Sequence, residues 1–172
     1  EEHPDERGSF FGGGASPQDF RMPIFCCLLA GDWETAGELA KLGRDFEYRD
    51  EGDPYTASCR VMYGVILNAP TLPWPPRTHP KWFKTMIWET YTQAALCIHA
   101  GDRAGFSKQL ELIEEAFIKG AKQRDETKRI ENAIYFDFVA VCLCKIATRH
   151  GMVVEHDSIA IPAAMVNYWQ TH

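Results

Sequence analysis

Nothing in this chain is long and apolar enough to suggest a membrane span, because no hydrophobic run approaches the roughly 18–20 residues such a helix needs. A basic excess is also missing. Lysine and arginine number 18 against 24 acidic residues, for a net charge of −6. That excludes a general nucleic-acid binder, which needs a cationic stripe to displace counterions. The spacings that hold structural zinc are absent, since there is no Cys-x-x-Cys and no matching Cys/His set. The glycines are isolated or form one triple, Gly12-Gly13-Gly14, so no phosphate-cradling loop is written here. Neither the His-Glu-x-x-His helix of zinc hydrolases nor the Gly-x-Ser-x-Gly elbow of serine hydrolases occurs. No cofactor and no metal are expected.

What is present is the material of one helical core. The chain has 172 residues, 45% of them hydrophobic, which suits a single folded domain. The six cysteines are Cys26, Cys27, Cys59, Cys97, Cys142 and Cys144. They stand in apolar runs such as Ile24-Phe25-Cys26-Cys27-Leu28-Leu29 and Val141-Cys142-Leu143-Cys144. In such runs a free thiol behaves as a small hydrophobe, so buried reduced thiols and a cytoplasmic location are expected.

Residues 1–15 read as a glycine-bearing arm, and residues 16–172 as the domain. Ser16-Pro17 gives an N-cap followed by proline, with Pro23 forcing a kink or a fresh start. Gly31-Asp32 ends that segment and caps the next, which carries Trp33, Ala36, Leu39, Ala40 and Leu42 and is expected to stop at Gly43. Asp53-Pro54 opens another helix to about Leu67. Five prolines between residues 70 and 80 make the 68–80 stretch a stiff linker carrying Trp74. Phe83, Ile87, Tyr91, Ala94 and Ile98 then repeat at helical steps up to Gly101-Asp102. Phe106, Leu110, Ile113 and Phe117 repeat them again.

A helix from about Thr127 to Arg149 is apolar nearly all round, which predicts the buried centre. Gly151 closes it, and Ile161-Pro162 starts a short last helix ending in Tyr168-Trp169. Leu-Leu-Ala-Gly-Asp at 28–32 echoes Ile-His-Ala-Gly-Asp at 98–102. The expected fold is therefore all-α, a compact multi-helix bundle built from antiparallel helical hairpins.

Three features bear on function. Asp45, Glu47, Asp50, Glu51 and Asp53 surround Phe46 and Tyr48 and precede Tyr55, an acidic stretch with aromatic anchors. Such a stretch is either a solvated loop or a protein-binding surface that steers a basic partner. Trp74, set among prolines, either packs back on the bundle or presents a stiff aromatic edge. Asp137 lies within the apolar helix, where a carboxylate must be paired, protonated or at an opening. A partner on a neighbouring helix, such as Arg60 or Lys84, is the structural reading; a catalytic acid beside His99 or His150 is the enzymatic one. His150 and His156 flank a short stretch with Glu155 and Asp157, and Cys59 precedes Arg60, but neither matches a known metal or nucleophile pattern.

The segment Gln93 to Leu110, reading Gln-Ala-Ala-Leu-Cys-Ile-His-Ala-Gly-Asp-Arg-Ala-Gly-Phe-Ser-Lys-Gln-Leu, resembles the paired helices of the bacterial immunity protein 49 family. Ile146-Ala147-Thr148-Arg149-His150-Gly151-Met152-Val153-Val154, followed by Ile161-Pro162, is similar too. The resemblance covers roughly residues 80–165 and lies in helix breaks and apolar positions. It implies a non-enzymatic protein that binds and blocks a cognate antibacterial toxin. The candidate contact residues are Asp45, Glu47, Tyr48, Asp50, Glu51, Asp53, Tyr55 and Trp74. A helical-hairpin adaptor from a larger protein is the alternative, and an enzyme using Asp137 the third reading. Self-association through exposed aromatics is compatible with the first two.

Overall fold

The computed structural model describes residues 16–46, 54–72, 87–126 and 136–167, with the side chains of 121–126 set aside. Within them the chain forms seven α-helices and no strand. A 3-10 turn, Pro17–Phe20, leads into α1 (Arg21–Ala30), α2 (Trp33–Asp45) and α3 (Pro54–Ile66). Then follow α4 (Ile87–Ala100), α5 (Arg103–Glu126), α6 (Phe138–Arg149) and α7 (Ala163–Asn167). Neighbours in sequence pack as neighbours in space from α1 through α5, while α6 closes the bundle against α1 and α4. The expected all-α bundle of consecutive antiparallel hairpins is the observed fold. No helix among the described residues is long and apolar enough to cross a membrane.

One local device ends four of the helices. The amide of Asp32 donates to the Cys27 carbonyl, that of Ala69 to Gly64, that of Asp102 to Cys97 and that of Met152 to Ala147. Each bond spans five residues and needs a left-handed residue before the donor. Gly31 (φ 78°), Asn68 (φ 50°), Gly101 (φ 68°) and Gly151 (φ 77°) fill that place. Asp32 and Asp102 then turn to the next helix, accepting from the amides of Thr35 and Gly105. The sequence echo is thus the same turn written twice, joining α1 to α2 and α4 to α5.

The core sits around α6. Its residues Val139 to Ala147 are all buried, so the prediction of a central apolar helix holds for that span. Its start does not. Asp137 is the N-cap, and the helix begins at Phe138 rather than near Thr127; residues 127–135 lie outside the described set. The Asp137 amide donates to the Ala160 carbonyl (2.7 Å) and its side chain accepts from the Ala140 amide (3.0 Å), which is what an N-cap does. Phe83, at the predicted start of α4, and the Tyr168-Trp169 end of the last helix also fall outside the described residues.

Two other boundaries moved. The fresh start expected at Pro23 comes two residues earlier, at Arg21 after the 3-10 turn, so Pro23 lies in the first turn of α1, where a missing N–H costs nothing. Gly43 does not end α2, which continues to Asp45. Its role is closeness. A Cβ there would lie 2.7 Å from Tyr63 Cε2 and 3.1 Å from Phe20 Cβ, so α2 can lie against α3 only because the side chain is missing.

Gly37, also in α2, has nothing within 4 Å of a built Cβ. Gly37→Ala is therefore expected to stabilise the protein by about 0.5–1 kcal/mol, by restricting the unfolded chain and favouring helix. Urea denaturation checks this, and a lowered midpoint would contradict it.

Candidate functional site

A concavity lined by aromatic rings lies between α4, α5 and the start of α6. It has a volume of about 290 Å³ and is walled by Trp88, Tyr91, Phe117 and Phe138, with Asp137 at one side. Helical spacing explains the first wall, because residues 87, 88 and 91 share one face of α4. Trp88 is held from several directions. The Arg21 guanidinium lies 4.4 Å from its ring centre, and Tyr91 and Tyr55 meet it edge-on at 5.3 and 6.3 Å.

Asp137 is the polar residue lining this cavity and is 7% exposed. Tyr91 Oη donates to its Oδ2 at 2.5 Å, while Oδ1 accepts from Ala140. Burial pushes its carboxyl above the usual aspartate range, and the hydrogen bonds from Tyr91 and the α6 amides only partly oppose that. Burial, the Asp137 charge and the hydrogen bond to it also push the Tyr91 hydroxyl up. The sequence pointed to a partner on a neighbouring helix, and that is what Asp137 has, but the partner is Tyr91. Arg60 instead donates to the Phe46 carbonyl (2.9 Å), and Lys84 lies outside the described residues.

The histidines that an acid–base reading requires are elsewhere. His99 is exposed near the end of α4, and His150 Nε2 bonds the Val65 carbonyl at 2.9 Å, tying α6 to α3. His156 faces Glu114 on α5, 3.3 Å away and without hydrogen-bond alignment. His150 and His156 thus serve different elements, and no group of three metal-ligating side chains occurs among the described residues. The cavity can shelter an apolar group, with one tyrosine–carboxyl pair at its edge.

A second concavity, a shallow groove of about 600 Å³, lies along the end of α2. Leu42 stands in it 59% exposed, beside Phe46, with Glu38, Lys41 and Asp45 around it. The buried face of α2 is Ala36, Ala40 and Gly43, so Leu42 falls off it. That offset was present in the helical spacing, although the sequence reading grouped Leu42 with the apolar face. Asp45 is exposed and bonded by Arg44 (Nε to Oδ1 2.8 Å, Nη2 to Oδ2 3.3 Å), which holds its carboxyl below the usual range.

Of the remaining predicted contact residues, Tyr55 is described. It is half-buried against Trp88 rather than standing out from the surface. Glu47, Tyr48, Asp50, Glu51, Asp53 and Trp74 lie outside the described residues.

The thiols divide into three groups. Cys59, Cys142 and Cys144 are buried, and burial pushes Cys144 up to about 12 and Cys142 higher still. Cys27 and Cys97 are half-buried and Cys26 is exposed, so the expectation of buried thiols holds for three of the six. The reason is geometric: Ile24, Phe25 and Leu28 turn one side of α1 inward, and residue 26 falls opposite. With an aromatic disulfide reagent at neutral pH, Cys26 is expected to react first. Cys59, Cys142 and Cys144 are expected to react only on unfolding, and peptide mapping of the labelled chain checks the order.

Lys145 is buried along its stem on α6, and burial lowers its ammonium from the ordinary lysine value. Comparison of the chain with known protein families, with curated proteins and with solved structures returns no match.

Proposed function

We propose that this chain is a non-enzymatic immunity protein that binds a cognate toxin by direct contact. The observation that carries the reading is the groove at the end of α2. An exposed Leu42 stands beside Phe46 between Glu38 and Asp45, where the chain enters the acidic stretch Glu47, Asp50, Glu51 and Asp53. A lone apolar anchor inside a charged rim is how specific interfaces concentrate binding energy. The acidic residues that follow in sequence suit a basic partner and would speed its encounter. The resemblance of residues 93–110 and 146–154 to immunity protein 49 sequences supports the same reading. So does Asp137, whose two oxygens are committed to Tyr91 and Ala140 with no histidine beside them among the described residues. On this reading the chain acts in the cytoplasm, and no cofactor takes part.

The test is a pull-down from the source cell with the full chain as bait, at low and at moderate salt. The captured partner is then expressed alone and together with this chain. A stoichiometric partner that is toxic alone and harmless in the pair is the expected result. Leu42→Asp, at an exposed position that leaves the core intact, is expected to weaken that complex about thirtyfold or more, the scale of a hot-spot residue. A captured non-toxic assembly would overturn the immunity reading and favour an adaptor from a larger protein. Full affinity in the Leu42 variant would place the contact elsewhere.

A further inference from the structure

We infer that the cavity between the end of α2 and the turn after α3 binds an oxyanion, a carboxylate or a phosphate group, on Arg44 and Arg60. The cavity has a volume of about 400 Å³, and Thr71 and Leu72 line it beside the two arginines. The turn that supplies Thr71 is fixed: Asn68 takes φ 50° and Ala69 donates to the Gly64 carbonyl at 2.9 Å. It follows α3 directly, so Arg60 and Thr71 are held by one rigid piece of backbone.

Arg60 is the unusual residue. Its Nη2 donates to the Phe46 carbonyl at 2.9 Å. Nε lies on the same edge of the guanidinium, is buried, and has no acceptor among the described residues. No carboxylate pairs with Arg60 among the described residues. A buried N–H left unpaired is costly, and native proteins rarely carry one without a reason. Because the guanidinium stays charged at all physiological pH, it cannot relieve the cost by releasing its proton.

Arg44 adds a second charge. Its Nε and Nη2 hold Asp45, and that carboxylate lines the neighbouring Leu42 groove rather than this cavity. Among the described residues, two guanidinium groups stand here with one carboxylate between them, an excess of cationic donors. Planar guanidinium donors match the oxygens of a carboxylate or phosphate, and the Thr71 hydroxyl offers a further donor at the rim. Leu72 gives a carboxylate ligand an apolar surface beside its charged end.

The experiment follows the arginine Nε–H resonances of the full chain by nitrogen-edited NMR, at constant ionic strength. Inorganic phosphate and N-acetyl-leucine are titrated separately, with sodium chloride and the uncharged N-acetyl-leucinamide as controls. A saturable shift at Arg60 Nε–H, with a low-millimolar dissociation constant and absent from both controls, is expected. Saturation by phosphate alone identifies a tetrahedral ligand, and saturation by N-acetyl-leucine alone a carboxylate; either supports the site. Arg44→Gln, at a partly exposed position, is expected to weaken binding about tenfold, the scale of one charge-assisted hydrogen bond. Absence of a saturable shift with both probes, or an affinity unchanged in Arg44→Gln, would overturn the inference.

Discussion

Tyr63→Ala is expected to cost about 3–5 kcal/mol, the range for removing a large buried aromatic ring, and so a large part of the 5–15 kcal/mol typical of a domain. Tyr63 is 0% exposed and sits where three pieces of chain meet. Its ring presses on the gap left by Gly43 in α2, and its hydroxyl donates to the Pro17 carbonyl at 2.6 Å. Burial dominates in pushing that hydroxyl far above the ordinary tyrosine value, so it stays protonated and able to donate. Truncation removes the ring contacts and also leaves the Pro17 carbonyl without its donor.

Tyr63→Phe separates the two contributions. It keeps the ring and is expected to cost about 1–2 kcal/mol, the penalty of one buried unsatisfied acceptor. Gly43→Ala probes the same contact from the other side. The added methyl would push against ring carbons and the Phe20 Cβ, and a loss of about 1–3 kcal/mol is expected despite alanine's better helix propensity. Urea denaturation of the three variants checks the set. A Tyr63→Ala cost below that of Tyr63→Phe would show that the ring contributes nothing.

Asp137→Ala is the second large effect, expected at about 2–4 kcal/mol. It removes the cap on Ala140, worth about 1 kcal/mol, and strands the Tyr91 hydroxyl in the core for a further 1–3 kcal/mol. Asp137→Asn keeps an oxygen for the cap and an amide that can donate to Tyr91, so it should fold well. This pair also reports on charge. Burial raises the folded-state pKa of Asp137 above its unfolded value. The stabilisation tied to its proton is therefore complete below the unfolded value and is lost as pH rises through the folded one. Wild-type stability relative to Asp137→Asn should fall as pH is raised above the ordinary aspartate range of about 4. The same trend in both proteins would show that Asp137 is not its source.

Helix number and turn chemistry were largely open to reading in one dimension because their causes are local. A glycine at C′ and an aspartate at the next cap are read from adjacent residues, which is why Gly31-Asp32 and Gly101-Asp102 gave both hairpins. The nine buried residues of α6 announced themselves by the lack of any polar face. The acidic stretch was equally visible, and Asp45 does line an open groove beside an exposed leucine.

What one dimension could not contain was the identity of partners across the bundle. Asp137 was visible as a carboxylate in an apolar run, yet its partner is 46 residues away on α4 and is a tyrosine rather than a cation. Gly43 looked like a helix stop because glycine ends helices locally. The Tyr63 ring, brought from α3, turned it into a packing position inside one. Cys26 looked like its buried neighbours until packing chose which side of α1 faces inward. The unpaired Nε of Arg60 was also invisible, since a missing acceptor is a property of the surroundings. Sequence by itself determined the Gly-Asp breaks between hairpins and the apolar centre of α6, because capping, propensity and periodicity act over a few residues. Tertiary structure alone decided which buried polar groups are satisfied and which clefts stay open, because those depend on contacts between residues that only folding brings together.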